Sequence, residues 1–309
     1  MSEKLKVGVV GVGHLGKFHT RIYSEFDSTE LVGVCDIDQK RGKKYARKYG
    51  TKFFKDPDNL ASQVEAVSIA TPTETHYKIA SKFLKADVNT LVEKPITNNA
   101  RSAAELVSLA EHKGLVLQVG HVERYNSAVK KAREYINTPE FIEVNRISKF
   151  PDRSLDIGVV LDLMIHDIDI ILSFVNSRVK KLDAIGTPVF SDKEDIANCR
   201  LEFDNGCVAN ITASRVSYKS ERKFRVFEGD RYLSLDYEKQ NFVVYKKKKE
   251  KISSPRDVKR ISPKIKKTQP LQAELDDFIT SIKEKKEPRV TGKHGLTALK
   301  LAIDITKNL

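Results

Sequence analysis

Residues 6–16 read KVGVVGVGHLG, and this stretch decides the fold. Val7–Val10 form an apolar run of the kind that makes a fully buried strand. The run ends in Gly11, Gly13 and Gly16, spaced G-x-G-x-x-G, with His14 and Leu15 between the last two glycines. HLGKFHTRIYSEF, 14–26, follows with helical character, and TELVGVCD, 29–36, reads as a second strand ending on Asp36, twenty positions after Gly16. Each feature has a physical purpose. Gly11 allows a tight turn, Gly13 lets backbone approach a pyrophosphate, and Gly16 lets helix and strand pack closely. The helix N-terminus then faces the phosphates. A carboxylate at Asp36 can accept hydrogen bonds from a ribose diol and repels a 2′-phosphate. NAD is therefore expected over NADP, although Lys40 and Arg41 lie just beyond.

Outward from this unit the alternation continues. VEAVSIATP, DVNTLVEKP and LVLQVGH read as three more strands, separated by helical stretches. Five strands alternating with helices imply a doubly wound parallel sheet of the Rossmann kind. In such a sheet every strand's carboxyl end meets one crevice. That places Gly11, Asp36, the TPTETH turn with Thr71, Pro72 and His76, then Glu93, Lys94, and GHVERYN at 120–126 along one edge. From Val122 onward short β-rich runs dominate. The expected division is therefore 1–121, a dinucleotide-binding domain, and 122–309, an α+β domain with a mostly antiparallel open sheet. EFDNGCV, 202–208, reads as a hairpin with Asn-Gly in a two-residue turn. This register would set Asp204 against Cys207 and Cys199 against Thr212, keeping the two cysteines apart.

Composition bounds the function. Cys35, Cys199 and Cys207 give no disulfide framework, so a cytoplasmic setting is expected. No apolar run approaches the roughly 20 residues of a membrane span, and the N-terminus does not read as a signal peptide. The formal charge is +13, but residues 239–267 hold 12 Lys or Arg against 2 acids, a net of +10, leaving +3 elsewhere. That basic segment reads as a solvated loop. Its Lys-rich part, 246–267, has no aromatic residue to stack on bases, which disfavours nucleic acid.

LDLMIHDIDIILSF, 161–174, is apolar nearly all round as a helix, yet carries Asp162, His166, Asp167 and Asp169. Asp162, His166 and Asp169 fall at i, i+4 and i+7, on one face. Buried charge needs a partner. The stripe could line a ligand cleft, bind a metal, or satisfy itself in the core; no His- or Cys-rich cluster completes a metal site, so none is expected. Asp167 points elsewhere, and Asp167 and Asp169 could each pair with a Lys or Arg.

Taken in order, the glycine fingerprint, ATPTETH at 70–76, EKPI at 93–96, DLMIHDID at 162–169 and the closing PLQAELDDFITSI and PRVTGKHGLTALKLA resemble the glucose-fructose oxidoreductase / inositol dehydrogenase / MocA family over essentially the whole chain. The resemblance implies an NAD-dependent dehydrogenase that oxidises a sugar alcohol. It implies cofactor contacts from Gly11, Gly13, His14, Leu15, Gly16, Asp36, Thr71, Pro72, His76, Glu93 and Lys94, and catalysis by Lys94, Asp162 and His166. Which of Lys94 and His166 accepts the proton stays open. GHVERYNSAV, 120–129, and RSLDIGVVLDLMIHDIDIILS, 153–173, are most similar to members that oxidise the 3-hydroxyl of UDP-N-acetylglucosamine ahead of a sugar aminotransferase that makes the diamino sugar of some lipid A. That likeness implies Arg124, Tyr125, Asn126, Arg153, Asp162 and His166 as substrate contacts, with Arg124 and Arg153 on the diphosphate, and a homo-oligomer. A polyol dehydrogenase and a non-catalytic dinucleotide sensor are the alternatives.

Overall fold

A computed structural model of the chain describes residues 3–150 and 157–309. It divides into two compact units: residues up to Val122 with Leu271–Leu299, and Glu123–Pro270 with Lys300–Leu309.

The first unit is built on a six-stranded parallel sheet, β1 (Leu5–Val10), β2 (Thr29–Cys35), β3 (Lys52–Phe54), β4 (Ala66–Ile69), β5 (Asn89–Glu93) and β6 (Leu117–Gly120), ordered β3-β2-β1-β4-β5-β6. The strand absent from the sequence reading is β3. Three residues at a sheet edge are too short to show a period. Val7, Val9, Val34, Val67, Leu91 and Val92 are fully buried, as expected where helices cover both faces.

The division at 122–309 needs correction, because residues 271–299 belong with the first unit. Leu275, Phe278 and Ile279 of the helix Pro270–Lys283 enter one core with Leu5, Val7, Val9, Ile22, Tyr23 and Leu91. Gln118 of β6 bridges to Thr291, and the Val119 N–H donates to the Val290 carbonyl at 3.2 Å. The parallel sheet needs cover on both faces, and this returning helix supplies part of it.

The second unit carries an eight-stranded sheet. In chain order the strands are β7 (Phe141–Ile147), β8 (Val179–Thr187), β9 (Ile196–Phe203), β10 (Val208–Ser214), β11 (Glu221–Glu228), β12 (Arg231–Asp236), β13 (Asn241–Lys247) and β14 (Val258–Ile261). They are ordered β14-β13-β12-β11-β7-β10-β9-β8, and every pair is antiparallel except β7 with β10. Alternation sends Ile142, Val144, Leu201, Ile211, Phe224, Val226, Leu233 and Val244 to a buried face. On the other face Phe141, Phe227, Tyr232 and Tyr245 stack across four strands, with successive ring centroids 5.5, 4.7 and 6.0 Å apart.

The hairpin register also needs correction. The Phe203 N–H donates to the Cys207 carbonyl at 2.9 Å, and Cys199 pairs with Ile211 rather than Thr212. The loop therefore has three residues. The Asn205 side chain accepts the Cys207 N–H, and Gly206 takes a positive φ of 85°, which closes the longer turn. All three cysteines are free and buried.

The basic segment is not wholly a loop. Its Val258–Ile261 part forms β14, pairing with β13 so that Lys246 lies opposite Lys259 and Tyr245 opposite Arg260. Charged residues on an edge strand discourage further strand addition. Among the described residues no helix is long and apolar enough to cross a membrane.

Candidate active site

In the first unit, three glycines at the end of β1 serve three purposes. Gly11 has φ of 83°, and a Cβ there would lie 2.7 Å from the Ala70 carbonyl oxygen. A Cβ on Gly16 would come within 1.7 Å of the Gly11 carbonyl oxygen, so only glycine lets the helix Gly16–Glu25 start so close to the strand. A Cβ on Gly13 would meet nothing within 4 Å. The fold itself therefore does not demand glycine at 13. Backbone laid bare toward open space is what a pyrophosphate requires, and on this observation the turn fits a dinucleotide. His14 and Leu15 are exposed on the same turn.

Asp36 is buried at the end of β2. Its carboxylate accepts the Val12 and Asp38 N–H groups, each at 2.8 Å, and a fork from Arg41, Nε at 3.0 Å and Nη2 at 2.8 Å. Burial alone would raise its pKa. The guanidinium and the two N–H groups outweigh burial and hold it below the ordinary carboxylate range. Ile37, the next residue, is 98% exposed, a large apolar side chain left bare directly after Asp36. The sequence reading missed it. An exposed aliphatic residue directly after the acidic strand end is the signal that could have found it.

Just beyond β4, Thr71 is partly exposed and Pro72 exposed. His76, expected as a cofactor contact, is instead buried between two loops. Its Nε2 faces the Thr71 carbonyl oxygen at 2.8 Å and its Nδ1 the Pro95 carbonyl oxygen at 2.9 Å, which leaves neither nitrogen for a ligand. Burial lowers its pKa. It ties the end of β4 to the segment after Lys94. Glu93 is buried too. One oxygen meets His19 Nε2 at 3.0 Å, and the other accepts the Lys94 N–H at 3.3 Å. Burial would raise the Glu93 pKa, but His19 and Lys94 more than compensate and lower it. His19, fully buried on the first helix, is a second residue that sequence reasoning missed. Lys94 itself is half-buried.

In the second unit, the segment bearing the polar stripe opens with a π-helical turn, Val160–Met164, before the α-helix Ile165–Phe174. Such turns insert one residue and often occur at functional sites. The simple i, i+4, i+7 face does not survive it. Asp162 and His166 are half-exposed, whereas Asp169 is buried. The chain leading into this turn is held by three hydrogen bonds to its backbone. Glu194 accepts the Val160 N–H through its side chain at 3.4 Å and the Val159 N–H through its backbone at 2.9 Å. Arg215 donates to the Ile157 carbonyl at 2.8 Å and to Asp195 at 2.7 Å, with both charged side chains fully buried.

The other two aspartates of the helix have arginine partners. Arg146 forks onto Asp167 at 2.5 and 2.9 Å and reaches Glu123 at 3.3 Å. Burial pushes the Asp167 carboxyl up despite the guanidinium. Arg124 forks onto Asp169 at 2.7 and 3.1 Å. That corrects the expectation for Arg124, because the fork assigned to a diphosphate is already spent on a buried carboxylate. Asn126 caps the helix Ser127–Ala132 and donates to the Tyr237 carbonyl at 3.0 Å, and Tyr125 is buried beside it in the chain. Arg153 lies outside the described residues. Among the described residues no group of three or more His, Cys, Asp or Glu side chains is arranged to hold a metal.

The first unit thus carries a dinucleotide turn, and the second an α+β fold in which Asp162 and His166 are half-exposed. Residues 5–121 match the model of an oxidoreductase family with an NAD-binding Rossmann fold, and residues 120–231 match the GFO/IDH/MocA C-terminal domain. The chain belongs to the GFO/IDH/MocA oxidoreductase family. As a member it is an NAD-binding oxidoreductase. Among its relatives is the UDP-N-acetylglucosamine 3-dehydrogenase of Acidithiobacillus ferrooxidans, 34% identical over 302 residues, 97% of this chain and 96% of that one. A solved structure of a UDP-N-acetylglucosamine 3-dehydrogenase from the same organism superposes with a TM-score of 0.94 at 33% identity, covering 99% and 98% of the two chains. The myo-inositol 2-dehydrogenase of Thermotoga maritima is 25% identical over 326 residues, 99% of this chain and 96% of that one.

Proposed function

We propose that the chain uses NAD to oxidise a secondary alcohol of a sugar, and that its substrate is UDP-N-acetylglucosamine, oxidised at the 3-hydroxyl. The observation that carries this reading is the end-to-end likeness to a UDP-N-acetylglucosamine 3-dehydrogenase, at 34% identity against 25% for the myo-inositol enzyme. NAD, when bound, would supply the acceptor for the hydride that leaves the alcohol carbon. The protein must then remove the hydroxyl proton and stabilise the developing oxyanion. His166, as a neutral imidazole, suits the first task near physiological pH. Lys94, as an ammonium, suits the second; the exchanged assignment of the two roles is the alternative. Asp162, one turn before His166, orients the imidazole or accepts a substrate hydroxyl. With Arg124 engaged by Asp169, Arg153 is the remaining candidate for the diphosphate.

The product would be a 3-keto sugar nucleotide. A ketone at that carbon is a substrate for an aminotransferase, which would draw an uphill oxidation forward and yield a diamino sugar of the lipid A type. Three free thiols suit a reducing cytoplasm, and the open sheet of the second unit offers a face for a homo-oligomer. The test is NADH production from UDP-N-acetylglucosamine in the presence of a ketone-consuming sugar aminotransferase and its amino donor, with mass spectrometry of the product. Lys94→Ala and His166→Asn should each lower turnover roughly a hundredfold or more while still binding NADH. Activity on a free polyol such as inositol, with none on the UDP-sugar, would replace this substrate assignment.

A further inference from the structure

The most informative contact outside the proposed chemistry is the Arg41 fork. Asp36 has no acceptor position left over. Its Oδ2 accepts Val12 N–H and Arg41 Nε, and its Oδ1 accepts Asp38 N–H and Arg41 Nη2, all at 2.8–3.0 Å. A carboxylate offers about four lone-pair sites, so these donors saturate it. Two of them are backbone groups fixed by the turns after β1 and β2. The other two sit on one side chain, 41% exposed, at the first turn of the helix Gln39–Lys48. A ribose diol needs two acceptor sites on the same carboxylate. Only the mobile pair can yield them.

We infer that Arg41 is a latch on the ribose site, closed over Asp36 in the free protein and displaced by the adenosine ribose, and that it sets the margin between NAD(H) and NADP(H). This rests on the reading of Asp36 as the ribose acceptor. The displaced guanidinium has a second carboxylate at hand, since Asp38 already lies 3.7 Å from Nη1. Arg41 then acts in opposite directions on the two cofactors. With NADH its ion pair to Asp36 is lost and nothing on the ligand replaces it. With NADPH the freed fork meets a 2′-phosphate, which suits its bidentate geometry and offsets repulsion from Asp36. Arg41 thereby narrows a preference that Asp36 alone would make wide.

Titration of the purified protein with NADH and with NADPH, read by nucleotide fluorescence, tests this without reference to turnover. Arg41→Met keeps most of the stem and removes charge and fork. It should bind NADH about twofold to fivefold more tightly, the worth of a half-exposed ion pair, and NADPH roughly tenfold or more weakly. Arg41→Lys should fall between, because a point charge cannot fork onto Asp36. Unchanged or weaker NADH binding by Arg41→Met, or a shift of both nucleotides in one direction, overturns the latch alone. Failure of the wild-type protein to bind either nucleotide overturns the dinucleotide reading and the latch with it.

Discussion

The dinucleotide edge of the first unit and the buried charge clusters of the second use similar residues under opposite constraints. At the first edge the backbone does the recognising. Gly11 and Gly16 let a strand, a turn and a helix crowd together, and a Cβ on Gly13 would face open space. In the second unit Arg124, Arg146 and Arg215 are all buried; the first two fork onto an aspartate of their own unit, and Arg215 donates to Asp195, Ser191 and the Ile157 carbonyl. A fork onto carboxylate and a fork onto phosphate call for the same residue. What differs is whether the partner is already inside the protein. Charged residues in the second unit are thus evidence about folding before they are evidence about substrate.

The sharpest way to break that comparison is Asp167→Asn. It leaves Arg146 buried with only Glu123, at 3.3 Å, to balance it. Removing one partner of a buried ion pair costs about 3–5 kcal/mol, and urea unfolding should show a loss of that size. Arg146→Met with Asp167→Leu and Glu123→Gln should recover much of it, since the apolar pair needs no solvation and no charge is left stranded. A loss below about 1 kcal/mol for Asp167→Asn would mean the cluster is not a structural pair.

The next test sits at the other edge. Gly13→Ala should leave unfolding stability within about 0.5 kcal/mol, because the new methyl meets no protein atom. NADH should bind about tenfold more weakly or worse, because the methyl occupies the approach to the pyrophosphate. Gly16→Ala should do the reverse and damage the fold first, since its Cβ would sit on the Gly11 carbonyl. If Gly13→Ala destabilised the protein as much as Gly16→Ala, the glycine would be structural and the argument for an open phosphate cradle would fall.

This contrast also explains how much could be read from sequence. The fingerprint, the strand ends and Asp36 lie within one strand-turn-helix-strand run, where spacing fixes geometry. Asp167 and Asp169 were legible only as needing partners, and the sequence could not say that Arg146 and Arg124 would supply them from β7 and from the turn at Val122–Tyr125. The π-helical turn was invisible because it alters hydrogen bonding without altering the apolar pattern. The hairpin slipped by one because Asn-Gly serves both two-residue and three-residue loops, and only the Asn205 side-chain bond to Cys207 decides. His76 looked like an edge residue by position, yet it is consumed by two backbone carbonyls.

The smallest effect is the most direct control, because it uses the same strand. On β7, Arg146 points to the buried face, and Glu143, three residues earlier, points to the other. Glu143 accepts from Arg225 of β11, directly opposite in register, at 2.7 Å, with side chains 36% and 31% exposed. This pair and the buried one are both arginine–carboxylate pairs at hydrogen-bond distance, the buried one a fork onto aspartate and the outer one a single contact to glutamate; their surroundings differ most. Water screens the outer pair and solvates either partner left alone, so its loss strands no charge. Glu143→Gln should therefore cost about 0–1 kcal/mol in urea unfolding, and the difference should shrink further in roughly 1 M salt, where the screening length falls to about 3 Å. A cost near that of Asp167→Asn would show that geometry alone, rather than burial, sets the worth of these pairs, and the distinction drawn between the two faces of the sheet would fail.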